Sequence, residues 1–261
     1  MRATGFLLLL ASTACAGPSW TTLESARVRC HVESALPAAL PARLAAWARD
    51  DLQALSTLVG ELPPSRPVDL FCASREGCRG HLAVDRGETG RHVRLAGPAC
   101  RIDLLREADP AALRSNLRHE LTHHLLEDCG FPPWLDEGLA EWAAFSLAAR
   151  PAREDCHNLL HSGPVLAAWG FPGGIPLSGG GRLRFRSETW LPDLVAVVRA
   201  TRWDDPIVFQ EGLDGRPPEF HAVAHLLVRM LLEKAGPGSP GRVAGRLRKG
   251  EDPWTAYREL T

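Results

Sequence analysis

His119-Glu120-Leu121-Thr122-His123 sets two imidazoles four positions apart with a carboxylate next to the first. On a helix, positions i and i+4 share a face one turn apart, so both rings can reach a single ion. Glu120 then stands beside them, where its carboxylate can contact a water bound to that ion. Imidazole ligands, an open coordination position and a positioned base are what a hydrolytic zinc site requires. A third protein ligand is needed. Glu137 follows His123 with thirteen residues between them, past a break at Gly130, Pro132 and Pro133. A helix–turn–helix there returns its carboxylate to the two rings. Glu141, one turn further along the same face, is placed to accept the other N–H of a ligand histidine, His119 in this reading.

Two histidines at this spacing can also be an ordinary helical surface patch, and it is the company of Glu137, Glu141 and the intervening break that sets this pair apart. His157 and His161 repeat the i, i+4 spacing with no accompanying carboxylate, and His124 faces away from the motif and reads as structural. Ser178-Gly179-Gly180-Gly181 lacks the Lys-Ser/Thr of a phosphate-binding loop and reads as a turn, and no Gly-x-Ser-x-Gly elbow supports a serine hydrolase. Trp134 and Trp142 read as packing residues.

The elements that must position the motif follow from periodicity and punctuation. Asp109-Pro110 offers an N-cap and a first-turn proline, and Leu113, Leu117, Leu121 and Leu125 carry a helix to a stop near Cys129-Gly130. A second helix is predicted over 133–149, with small Gly138 and Ala140 allowing close approach to the first. An amphipathic helix is predicted over 36–59 and strands over 67–73 and 91–96. Residues 162–192, rich in Gly and Pro, read as an irregular loop. Helices are predicted after it at 191–201, 219–235, 240–249 and 253–260.

His-Glu-x-x-His followed by Trp-Leu-x-Glu-Gly-Leu-Ala-Glu (Trp134–Glu141) resembles the gluzincin zinc metallopeptidases, in particular the bacterial peptidase-MA-like proteins. The specific part of this likeness covers residues 109–145. The resemblance implies one zinc ion per chain held by His119, His123 and Glu137, with Glu120 as general base. It also implies an α+β, zincin-like domain with a small N-terminal sheet, an active-site helix and a mostly helical C-terminal half. A metzincin would want Gly at 126 and His at 129, where Leu126 and Cys129 stand, and without an aspzincin Gly-Thr-x-Asp, Asp136 is a weaker ligand candidate than Glu137. Family members often stabilise the developing oxyanion with a Tyr or His on a later helix. His221 stands where that Tyr is expected, with His225 and the sole tyrosine, Tyr257, as further candidates. In zincins substrate lies along an edge strand above the metal, for which 91–96 is the candidate, and the Gly-rich stretch 172–182 is a candidate lid.

The chain has 261 residues, 45% hydrophobic and 23% charged, which excludes a disordered or polytopic membrane protein. A net charge of -1 gives no field toward nucleic acid. Met1-Arg2, the apolar run 6–11 and the small residues around Cys15 make residues 1–16 an export signal. Two routes are open: lipidation of Cys15, anchoring the chain to a bacterial envelope membrane, or cleavage after Ala16. Residues 17–35 then read as a tether and 36–261 as a single domain. Seven cysteines less Cys15 leave an even six, an argument for disulfides, with Cys129–Cys156 as the favoured pair. The expectation is an exported, monomeric zinc metallopeptidase acting on peptides or proteins; its rival is a non-catalytic or latent zincin-fold envelope scaffold.

Overall fold

A computed structural model describes residues 19–25, 27–60, 66–74, 82, 90–93, 100–149, 175–176, 182–183 and 219–258. Its centre is a five-stranded mixed sheet of β1 (Trp20–Glu24), β2 (Val28–Glu33), β3 (Val68–Ala73), β4 (Gly90–Val93) and β5 (Cys100–Leu105), in the order β1-β2-β3-β5-β4. β2, β3 and β5 run parallel, and antiparallel strands β1 and β4 close the two edges. The stretch expected to be a tether is therefore the first part of the sheet. Val28, Cys30 and Val32 alternate with polar residues, and this period of two buries all three.

Helix α1 (Leu40–Val59) makes the crossover between parallel β2 and β3 and buries Leu44, Ala48 and Leu55. α2 (Pro110–Leu126) follows β5 and adds Leu113, Leu117, Leu121 and Leu125 to the same apolar cluster. Its N-cap is the one read from the sequence: the Asp109 carboxylate accepts from the Ala111 N–H, and Pro110 fills the first turn. Asp51 of α1, only 2% exposed, accepts from Arg114 Nε and Nη2 at 2.9 and 2.8 Å and lies 3.1 Å from Arg118 Nε. A buried carboxylate needs such partners, and this one fixes α2 against α1.

Past Gly130, whose φ of +67° turns the chain, Pro133 starts α3 (Pro133–Ser146). Helices α4 (Glu219–Ala235), α5 (Ser239–Arg248) and α6 (Pro253–Tyr257) complete the described C-terminal part. They share a second apolar cluster with α3, built on Leu135, Leu139, Val228, Leu232 and Val243. β6 (Ile175–Pro176) and β7 (Arg182–Leu183) pair antiparallel across the Gly-rich stretch. The rest of that stretch and the helix expected at 191–201 lie outside the described residues.

Cys30, Cys72, Cys100 and Cys129 are buried free thiols, so the Cys129–Cys156 bridge is not formed. Sheet register gives the reason for two of them. Cys30 stands opposite Leu70 and Cys72 opposite Val32, two positions out of step with one another. Burial pushes all four thiols up to about 12. Cys15, Cys78 and Cys156 lie outside the described residues, as do residues 1–16, where an export signal is expected. Among the described residues no helix is long and apolar enough to cross a membrane.

Candidate metal centre

α2 presents His119 and His123 one turn apart, with ring centroids 4.7 Å from each other and Nε2 atoms 3.0 Å from each other. α3 packs against α2 and brings in Glu137, whose Oε2 lies 3.3 Å from His119 Nε2 and 3.5 Å from His123 Nε2. Tetrahedral ligands with metal bonds of about 2.0–2.1 Å stand roughly 3.3 Å from each other. The three donor atoms therefore have the spacing of one face of a coordination tetrahedron.

Each of the two rings has a carboxylate behind it. His123 Nδ1 lies 3.2 Å from Asp136 Oδ2, and His119 Nδ1 lies 3.6 Å from Glu141 Oε1. Both imidazoles thus turn Nε2 inward and Nδ1 toward a carboxylate, which is how metal-binding histidines are oriented and made more basic. Glu141 takes the place read for it from the sequence. Asp136 was weighed there only as a weak ligand; as the neighbour of Glu137 on the first turn of α3, it instead reaches the back of His123.

His221 comes from α4. Gly138 lets α3 and α4 approach closely: a Cβ there would collide with the Ala224 carbonyl and with Val228. His221 Nε2 consequently lies 3.2 Å from Glu137 Oε2, the same oxygen that faces His119 and His123. The other oxyanion candidates are elsewhere. His225 is buried with its ring 5.2 Å from Phe145, and Tyr257 packs with the helical cluster.

Glu120, 6% exposed, turns toward the sheet edge, where its Oε1 would lie 2.8 Å from a Cβ placed on Gly90. The main-chain N–H of His92 donates to its carboxylate. Burial raises the Glu120 carboxyl above its ordinary range, against the pull of the His119 and His123 rings. A base with a raised pKa can both accept and return a proton near neutrality.

The charges of the cluster are strongly coupled. Burial opposes charge on every member, yet the charges of His221 and His123 hold the Glu137 carboxyl well below its usual range. Against the same burial, Glu137 and Asp136 raise His123 well above the usual imidazole value, and Glu137 with Glu141 raises His119. His221 reaches about 9, burial being outweighed by the Glu137 charge. Glu137 Oε2 is nonetheless buried without a well-aligned hydrogen bond, although three imidazole nitrogens crowd it. Protons on the rings substitute poorly for one divalent cation at their common focus, so the donor set fits a metal such as zinc.

No protein-family model matches the chain, and no curated protein matches it.

Proposed function

We propose that the protein is a zinc-dependent peptide hydrolase of the gluzincin kind on a zincin-like fold, exported to the cell envelope by its N-terminal segment. The observation that carries this reading is the triangle of His119 Nε2, His123 Nε2 and Glu137 Oε2, with edges of 3.0, 3.3 and 3.5 Å, backed by Asp136 and Glu141. Bound by these three residues, the ion supplies Lewis acidity to a scissile carbonyl and makes water a stronger acid. Glu120 takes the proton of the attacking water on its carboxylate and returns it to the leaving amine. His221 donates from Nε2 to the charge that develops on the carbonyl oxygen. β4 ends the strand order of the sheet beside Glu120, and an extended peptide laid along this edge strand is the substrate pose the reading expects.

A second reading rests on the place of His221. Its Nε2 is as near Glu137 Oε2 as the two ligand rings are. A fourth protein ligand would close the centre, as in structural zinc sites, and the protein would then serve as an envelope scaffold.

Metal content and peptide-library cleavage decide between them. The hydrolase reading expects zinc bound through His119, His123 and Glu137, cleavage lost with chelator and with Glu120→Gln, and metal retained in His221→Ala. Cleavage that survives both the chelator and Glu120→Gln overturns the mechanism. A zinc-loaded wild type that cleaves nothing, and that needs His221 to hold its metal, establishes the scaffold.

A further inference from the structure

The opposite side of α2 carries a second set of donors. His124 and Glu127 project from its last turns, Cys100 opens β5 and His92 stands on β4; one donor atom from each lies within 4.8 Å of the others. Cys100 and His124 are buried, and Cys100 Sγ is 2.8 Å from His124 Nδ1. Arg66 holds Glu127 through Oε1, and a carboxylate has a second oxygen for an ion.

We propose that His92, Cys100, His124 and Glu127 form a second, structural site for a divalent transition metal, zinc in the first instance. The ligand set suits a borderline-soft ion: one thiolate, two imidazoles and one carboxylate complete a closed tetrahedron and leave no position for substrate. Tetrahedral edges for such donors are about 3.3–3.6 Å, so the 2.8 Å Cys100–His124 pair must open and any wider pair must close. Rotation of the half-buried His92 supplies part of that movement, the Glu127 side chain being buried against Arg66.

Charge is partly offset. Without an ion, Arg66 and Glu127 neutralise each other beside a neutral thiol. A divalent cation adds two positive charges, and loss of the Cys100 proton to solvent offsets one of them, with Glu127 shared between the ion and Arg66.

The position of the site gives it a role. Its ligands join β4, β5 and α2. His92 belongs both to this cluster and, through its main-chain N–H, to Glu120. The His92 ring lies 6.1 Å from His124 and 6.4 Å from His123, between the two centres. An ion here pins the short edge strand to the helix that carries the first centre and so fixes the placement of Glu120. The donors are separate from those of the proposed catalytic centre, so either site can fail without the other.

Cobalt titration of the reduced, metal-stripped full chain is the test, because of the two donor clusters among the described residues only this one contains a thiol. Wild type should take two equivalents of Co2+, one of them raising a near-ultraviolet thiolate-to-cobalt charge-transfer band. Cys100→Ser should lose that band and one equivalent, whereas Glu137→Gln should lose the other equivalent and keep the band. Should Cys100→Ser fail to fold by circular dichroism, His92→Ala takes its place, with at least tenfold weaker binding of the band-forming equivalent expected. A wild type with no thiolate band, a band that survives Cys100→Ser, or unchanged affinity in His92→Ala overturns the proposal.

Discussion

The two sides of α2 are both buried and do opposite things. Toward the sheet, Leu113, Leu117, Leu121 and Leu125 pack into the larger apolar cluster and stabilise the fold. Toward α3 and the sheet edge, Glu120 and His123, with Glu137 facing them from α3, bury charge and polar atoms at a cost in free energy, which the proposed ion would offset. A helix buried on both sides carries no simple amphipathic stripe; its apolar side holds the polar side in place. Substitutions on the two sides should therefore separate function from stability.

The largest expected effect is on the polar side. Glu120→Gln should reduce peptide hydrolysis by about 10²–10⁴-fold while zinc content stays at the wild-type level. Thermal stability should hold or rise, because a buried carboxylate has been removed. Steady-state cleavage, metal analysis and a melting curve on one preparation check all three, and an active variant would remove Glu120 from the mechanism.

Leu117→Ala, on the sheet side, should do the reverse. Leu117 is fully buried, so its truncation should cost about 2–5 kcal/mol in denaturant unfolding. The folded fraction should keep its zinc affinity and its cleavage rate. Loss of metal at unchanged stability would show that the two sides are not separable.

The same division governs what could be read from the sequence. Signals within one helix were readable: the i, i+4 histidines, the Asp109-Pro110 start and the Pro133 restart all stand in the structure where local chemistry puts them. Long-range pairing was not. β2 alternates strictly over its six residues, but its neighbour β1 is exposed over four of five positions and gives no pattern to pair it with. β5 carries the same alternation, Cys100, Ile102 and Leu104 apolar with Arg101 and Asp103 between, but is too short to be told from a loop without its partners; in the fold the fully buried Asp103 carboxylate accepts from Arg101 Nε at 2.7 Å. His92 and Cys100 come near His124 only once β4 has paired with β5 and α2 has docked, so no spacing rule reveals that cluster.

A finer contrast lies between the two carboxylates behind the ligand rings. Asp136 Oδ2 is 3.2 Å from His123 Nδ1, whereas Glu141 Oε1 is 3.6 Å from His119 Nδ1, beyond a good hydrogen bond. Asp136→Asn should weaken zinc binding about 10–100-fold, the usual cost of losing an orienting partner. Glu141→Gln should weaken it less. Competition with a chromogenic chelator measures both, and the reverse ranking would assign the main orienting role to His119.

The smallest effect separates metal from protons at the same centre. His119, His123 and His221 all have folded-state pKa values above the ordinary 6.5, His221 at about 9, where Glu137 outweighs burial. In the metal-stripped protein the folded state then holds more protons than the unfolded chain between these values. The stabilisation they provide is complete below pH 6.5 and is lost as pH rises toward about 9. Glu137 has the opposite sign: its depressed pKa contributes stability that is complete above its ordinary 4.5 and is lost as pH falls from there through its depressed folded-state value. A bound ion takes the place of the imidazole protons and binds more tightly as they leave. The melting temperature of stripped protein should thus fall between pH 6.5 and 9, by a few degrees, while that of zinc-loaded protein should not, so the gap between the two curves widens with pH. A gap that stays constant across that range would mean that the imidazoles are neutral without metal and that Glu137 does not hold their protons.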